Sequence, residues 1–336
     1  DVDRRAAIFW DHGSSFTYGS DDSAEVPFRG ALDVDEVAAE FKVDPNDESS
    51  GYQTVDIVGF DACLMSSVEA LTEFTDVADL YVASAELEPG DGWDYRAIFD
   101  FMGRNPELTP TDLATAIVDG YADYYASNPR RAGGLQVTQA AWSTDTEGVR
   151  AAIEALAAEY TAASGDDAGN YNMIADVYQA QAKSTFYNKR SDNPAEQTSW
   201  IDVGEFLANH TEAAGPAIAS AAETLRQALE AIRVANRADG RDALTMGLSV
   251  YFPGNRLGRG TGSTDSESRS AAEDSRLSQG AYGDILSLFD PDDPSSAIAS
   301  LVATDTDSPV VDFSITSVTA DEVRVDIQAS DDVMLS

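Results

Sequence analysis

Residues able to do nucleophilic chemistry are scarce in this chain. It has one cysteine, Cys63, and two histidines, His12 and His210. A lone cysteine is usually a small buried hydrophobe, and a lone histidine is usually structural. Their placement changes that expectation. His12 follows the apolar run Ala6-Ala-Ile-Phe-Trp10, and Cys63 follows Val55-Asp-Ile-Val-Gly-Phe60. Each lies just past the carboxyl end of a segment that reads as a buried strand. An imidazole beside a thiol is the minimum for thiol catalysis: the ring accepts the proton and the thiolate attacks a carbonyl. Cys63 is also expected at the start of a helix, whose free N–H groups favour a thiolate and can hold an oxyanion. Gly13 allows close backbone approach, so its N–H is a second oxyanion donor beside that of Cys63. His210, near a helix end, has no such context.

The elements that position these residues alternate. Strands are expected at 6–10, 55–60, 79–84, 135–142 and 244–252. Helices are expected near 35–41, directly after Cys63 (Leu64, Val68, Leu71, Phe74), and at 94–103, 111–127, 144–164 and 170–183. A short helix holds Leu207, and a longer one follows Pro216 with Ile218, Leu225, Leu229 and Ile232 on one face. Such alternation predicts an α/β fold with a largely parallel sheet and helices on both faces, its site beyond the carboxyl ends of the strands. Adjacent strands lie ~4.8 Å apart, so neighbouring loops can bring imidazole and thiol together. The Ser/Gly/Arg stretch 256–275 reads as a loop.

Composition narrows the function. The 336 residues carry 60 acidic and 21 basic side chains, a net charge of −39 that repels rather than neutralises phosphates and argues against nucleic acid as a partner. There are 40 Asp against 20 Glu and only 3 Lys (Lys42, Lys183, Lys189) against 18 Arg, dispersed along the chain. A dispersed, Asp-rich, Lys-poor surface points to high salt, where ions screen the self-repulsion. With 43% hydrophobic residues the chain can still bury a core. No apolar stretch is long enough to span a membrane. One cysteine excludes an intrachain disulfide and a cysteine-based metal cluster.

The blocks Trp10-Asp-His-Gly-Ser-Ser15, Gly59-Phe-Asp-Ala-Cys-Leu-Met-Ser66, Ala83-Ser-Ala-Glu-Leu-Glu-Pro-Gly-Asp-Gly-Trp93 and Gly247-Leu-Ser-Val-Tyr-Phe-Pro253 together resemble the clostripain family of cysteine peptidases, in the caspase–gingipain–legumain group. The resemblance covers roughly residues 5–290. It implies a caspase-like three-layer αβα sandwich with a mostly parallel sheet. It implies His12 as the catalytic histidine and Cys63 as the nucleophile of an endopeptidase that cuts after Arg or Lys. The S1 pocket acids it implies are Asp61 and Asp91, since a guanidinium seeks a carboxylate partner in a shielded pocket. Self-processing after a basic residue between His and Cys would fall at Arg29 or Lys42, with Arg29 in Pro27-Phe-Arg-Gly30 the better candidate. No organic cofactor is implied. Some relatives use calcium, and Asp21-Asp22 or Asp44–Asp47 could bind it, although no spacing matches an EF-hand loop.

The resemblance also implies one or two strands ahead of the His12 strand, which this sequence does not contain. Residue 1 is Asp, so the chain reads as a processed piece. At the other end, Asp290-Pro-Asp-Asp-Pro294 reads as part of a linker over 291–308. Segments 309–318 and 322–328 alternate as strands. Two strands make no sandwich alone, so 309–336 is expected to begin an immunoglobulin-like β segment behind a peptidase domain at 1–290. An extracellular or cell-surface location fits both features. Two other readings compete: a catalytically silent surface or adhesion module keeping the fold, and a peptidase with acidic P1 preference, which the acidic pocket candidates oppose.

Overall fold

The computed structural model describes residues 4–19, 32–41, 54–165, 167–187, 200–211, 214–238, 245–253, 275–290, 296–297, 311–319 and 322–329, the last two stretches as backbone only. In chain order, β1 (Ala6–Trp10) is followed by three short strands, β2 (Gly13–Ser14), β3 (Thr17–Tyr18) and β4 (Leu32–Asp33), then α1 (Val34–Ala39), β5 (Val55–Asp61), α2 (Val68–Glu73) and β6 (Ala78–Ala83). Next come α3 (Tyr95–Arg104), α4 (Pro110–Ser127), β7 (Thr138–Ser143), α5 (Glu147–Ser164) and α6 (Asp167–Lys183). The second half holds β8 (Trp200–Asp202), α7 (Val203–Ala208), α8 (Pro216–Ile232), β9 (Arg233–Ala238), β10 (Ser249–Tyr251), α9 (Ala281–Leu288), β11 (Val311–Thr319) and β12 (Glu322–Ala329).

The central sheet has the order β1-β5-β6-β7-β9. Strands β1, β5 and β6 pair in parallel, and β7 runs antiparallel to both β6 and β9, so four of the five strands share one direction. Alternate residues feed two cores. Val58, Phe60, Tyr81, Ala83, Ala140 and Trp142 face the larger one with α2, α5 and α8. Ile57, Leu80, Val82 and Ala141 face the smaller one, closed by Ile117, Val118 and Tyr121 of α4. Helices on both faces of a mixed, mostly parallel sheet form the three-layer αβα arrangement that the alternation predicts.

Local chemistry sets the element ends. Thr109 caps α4 by accepting the Asp112 N–H (3.1 Å), with Pro110 in the first turn and the Asp112 carboxylate returning to the Thr109 N–H (3.0 Å). Asp202 caps α7 through the Glu205 N–H (2.9 Å).

Three expectations are corrected. The fifth sheet strand is not 244–252 but β9, which leaves α8 without a loop. Its polar sequence, Arg-Val-Ala-Asn-Arg-Ala, hides an edge strand, and Arg237 reaches Asp119 and Asp123 of α4 at 3.2 Å each. Among the described residues 245–252 only β10 is strand, pairing antiparallel with β8. The buried Asp202 carboxylate takes the Met246 and Gly247 N–H groups (3.0 Å each), and Gly247 takes a left-handed φ of 69°. The helix expected directly after Cys63 starts only at Val68, behind the Ser67 cap. Strands β11 and β12 pair antiparallel with each other in a sheet of their own.

Candidate active site

The register of the sheet places the two reactive residues. Strands β1 and β5 pair in parallel with Trp10 opposite Asp61. His12 and Cys63 each lie two residues further on, in loops leaving the same sheet edge side by side. After His12 the chain turns back at once. Strands β2 and β3 form a tight hairpin, Ser15 takes a left-handed φ of 61° at its tip, and the Gly19 N–H closes it on the His12 carbonyl (2.8 Å). His12 itself is exposed, and its N–H is held by the Asp11 carboxylate (2.6 Å).

The His and Cys loops touch at Gly13. A Cβ there would stand 2.5 Å from the Cys63 carbonyl oxygen and 2.6 Å from the Met65 sulfur, so only glycine permits this approach. Ser67 locks the contact from the other side. Its hydroxyl lies 3.2 Å from the Ser15 carbonyl and accepts the Ala70 N–H (3.1 Å). One side chain thus caps α2 and ties it to the His12 hairpin.

Cys63 is half-buried. Leu64 follows in the left-handed region at φ 64°, a sharp turn that presents the side chain before it. The turn is fixed by the Leu64 N–H on the Glu86 carbonyl (3.1 Å), the Ser66 N–H on the Ser84 carbonyl (2.8 Å), and the Tyr81 hydroxyl on the Met65 carbonyl (2.7 Å). The expected helix N-terminus is not what faces the sulfur, because α2 begins five residues later. The amide that faces Cys63 Sγ is the Glu88 N–H, at 3.2 Å, from the loop after β6. It supplies the donor for a thiolate that the sequence reading assigned to the helix.

Of the two expected pocket acids, the structure brings one to the site. Asp61 ends β5, is 2% exposed, and accepts the Trp93 N–H (3.1 Å) and the Tyr95 hydroxyl (2.8 Å) on Oδ2. Its Oδ1 is buried without a partner. Gly92 makes this approach possible. It has a φ of 64°, and a Cβ there would meet both Asp61 carboxylate oxygens at 2.8 Å. Asp91, one residue before, points the other way. It is exposed, bonded to the Arg131 guanidinium and to the Tyr124 hydroxyl (2.9 Å), and Arg131 holds its carboxyl below the usual range.

A third acid, Glu88, lies beside Asp61. Its Oε1 lies 3.4 Å from the Trp93 indole nitrogen, and its Oε2 is buried without a partner. Burial first, and the neighbouring Asp61 second, push the Glu88 carboxyl well above the usual range. The only signal for it in the sequence was its place in the Glu-Pro-Gly-Asp-Gly-Trp block.

His210 is a core residue. Its ring lies 2.5 Å from the Tyr160 hydroxyl and 2.9 Å from the Phe206 carbonyl, and burial lowers its pKa. Arg29, Lys42, Asp21-Asp22 and Asp44–Asp47 lie outside the described residues. Among the described residues no group of three or more His, Cys, Asp or Glu is placed to hold a metal ion, and no helix is long and apolar enough to cross a membrane.

Comparisons with known proteins agree with this architecture. The chain is similar to the B. fragilis cysteine protease at 17% identity, covering 80% of this chain and 98% of that one, with a TM-score of 0.52. It is similar to an inactive zymogen protease from Parabacteroides distasonis at 16% identity (84% of this chain, 70% of that one, TM-score 0.53). It is also similar to a secreted cysteine protease from Bacteroides thetaiotaomicron, solved with an irreversible peptide inhibitor, at 17% identity (81% and 73%, TM-score 0.51). These likenesses carry the fold. No curated protein matches the chain. The model of the Clostripain family matches residues 1–245 of the 336. The chain therefore belongs to the clostripain family and is a cysteine-type peptidase.

Proposed function

We propose that this chain is an endopeptidase that cuts after Arg or Lys with Cys63 and His12, and that it works outside the cell in high salt. The observation that carries the reading is the β1–β5 register, which sends His12 and Cys63 out of adjacent strand ends in step. Imidazole accepts the Cys63 proton, and the thiolate attacks the scissile carbonyl. The N–H groups of Gly13 and Cys63 hold the oxyanion. The imidazolium then protonates the leaving amine as the carbon–nitrogen bond breaks and leaves a thioester. Water, deprotonated by His12, attacks the thioester, and sulfur departs as thiolate. No cofactor enters these steps, and a calcium requirement is read by chelation in the same assay.

A basic P1 residue is supported by Asp61, buried two residues before the nucleophile with one carboxylate oxygen unpartnered. High salt is supported by the charge of −39 spread as 40 Asp over the chain. An extracellular location is supported by the secreted enzyme among the similar structures. We read 1–290 as the peptidase unit, 291–308 as a linker and 309–336 as a separate immunoglobulin-like β segment.

The test is cleavage of paired fluorogenic peptides, P1 Arg against P1 Asp, in molar salt and in dilute buffer, with Cys63→Ala alongside. Arg cleavage that needs Cys63 and salt is the expected result. Cleavage of the Asp peptide, or of neither by folded protein in salt, overturns the specificity.

A further inference from the structure

Glu88 has no role in the mechanism above, yet it meets the site twice. Its main-chain N–H faces the Cys63 sulfur at 3.2 Å, and its carboxyl lies beside Asp61. Trp93 occupies one oxygen of each acid: its N–H goes to Asp61 Oδ2 and its indole to Glu88 Oε1. The other two oxygens, Asp61 Oδ1 and Glu88 Oε2, are both buried and unpartnered. The titratable groups facing Glu88 are Asp61 of β5, Cys63, Tyr95 of α3, and Tyr121 and Tyr125 of α4. None is a cation. Beside the nucleophile two buried carboxyls thus have acceptors to spare, and among the described residues no positive charge meets them, although buried carboxyls are stable only when paired or protonated.

Resting on the basic-P1 reading above, we propose that Glu88 is a second acid of the P1 pocket, and that a guanidinium bridging Asp61 and Glu88 makes the enzyme select Arg over Lys. A guanidinium carries five N–H donors in a planar fork and can serve both open oxygens at once. An ammonium is a compact point charge with three donors and spans the pair less well. With no cation bound, Glu88 is held protonated, because burial first and the neighbouring Asp61 second raise its carboxyl. When the guanidinium enters, that proton leaves for solvent. The pocket then holds two carboxylates and one cation, so its net charge is unchanged. Because the same residue offers its N–H to Cys63 Sγ, seating the P1 side chain also steadies the nucleophile.

The experiment compares wild type and Glu88→Gln on peptides that differ only in P1 Arg or Lys, with benzamidine as an amidinium probe and iodoacetamide alkylation of Cys63 as the control. The variant is expected to lose about 10- to 100-fold in kcat/KM on the Arg peptide and less on the Lys peptide, so the Arg/Lys ratio falls. Benzamidine inhibition weakens in step, while alkylation stays within about twofold. A wild type that prefers Arg, with a variant that keeps both the ratio and the benzamidine inhibition, overturns the role of Glu88 alone. A wild type that cuts after neither Arg nor Lys overturns the basic-P1 reading, and this inference with it. If Glu88→Gln does not fold, calorimetry of benzamidine binding to wild type in two buffers of different ionisation enthalpy decides. Release of about one proton supports a guanidinium-binding site in which Glu88 is protonated when empty, and release of none overturns it.

Discussion

Glu69, in the first turn of α2, carries a stability effect that pH can read out. It is fully buried. Its Oε1 takes the Tyr251 N–H (2.8 Å) and lies 2.6 Å from the Tyr282 hydroxyl, and its Oε2 has no partner. It thus joins β10 and α9 to the helix behind the Cys63 turn. Burial pushes its pKa up to about 7, against 4.5 for the free side chain. The folded state therefore holds a proton that the unfolded chain has lost. Stability from this group is fully present below about pH 4.5 and is lost as pH rises through about 7. At about 1.4 kcal/mol per pH unit, the loss builds over the roughly two units from about pH 5 to about 7, levels off above that, and amounts to roughly 3 kcal/mol by about pH 8. In Glu69→Gln the amide oxygen keeps both contacts and nothing ionises, but the amide nitrogen is left without an acceptor, at a pH-independent cost of about 1–3 kcal/mol. The variant should be less stable than wild type near pH 5 and equal or better near pH 8. Asp202, buried and pushed up to about 6, titrates in the same direction in both proteins and cancels in the difference. Denaturant unfolding of both proteins at the two pH values, in the same molar salt, measures it. Parallel pH profiles, within about 0.5 kcal/mol, would refute the burial argument.

The site makes three further predictions. Gly13→Ala puts a Cβ 2.5 Å from the Cys63 carbonyl and must part the two loops, so kcat should fall about 100-fold while iodoacetamide still alkylates Cys63. Gly92→Ala strains a left-handed residue and presses on the Asp61 carboxylate, so KM for an Arg peptide should rise at least about tenfold; an unchanged KM would remove Asp61 from the pocket. Asp91→Asn cuts an exposed contact to Arg131 and should change kcat/KM less than about threefold, whereas Asp61→Asn should cost more than about tenfold; the reverse order would put Asp91 in the pocket.

Much of this protein is legible along the chain because its signals are local. The runs Ala6–Trp10 and Val55–Phe60 are apolar enough to read as strands, although β1, expected to be buried, lies at the end of the sheet with Ala6 and Trp10 exposed, and the residues just past their ends are visible as His12 and Cys63. Helices α4, α5 and α8 announce themselves by periodicity and, in two of them, by proline in the first turn. The dispersed acid is a matter of composition alone. What escaped depends on partners distant in sequence. Strand β9 has no apolar pattern and exists because β7 offers it a ladder. The 244–252 segment yields to Asp202, more than forty residues away, which captures its amides. Asp61 and Asp91 look alike as letters, but β5 carries one inward while Arg131 and Tyr124 draw the other to the surface. Glu88 reaches the nucleophile only because β6 lies next to β5 and returns its loop to the same edge. Local propensity and apolar periodicity act over a few residues and are written in order along the chain. Burial of a charge and the approach of two loops depend on which strands become neighbours, and that is settled only when the sheet closes.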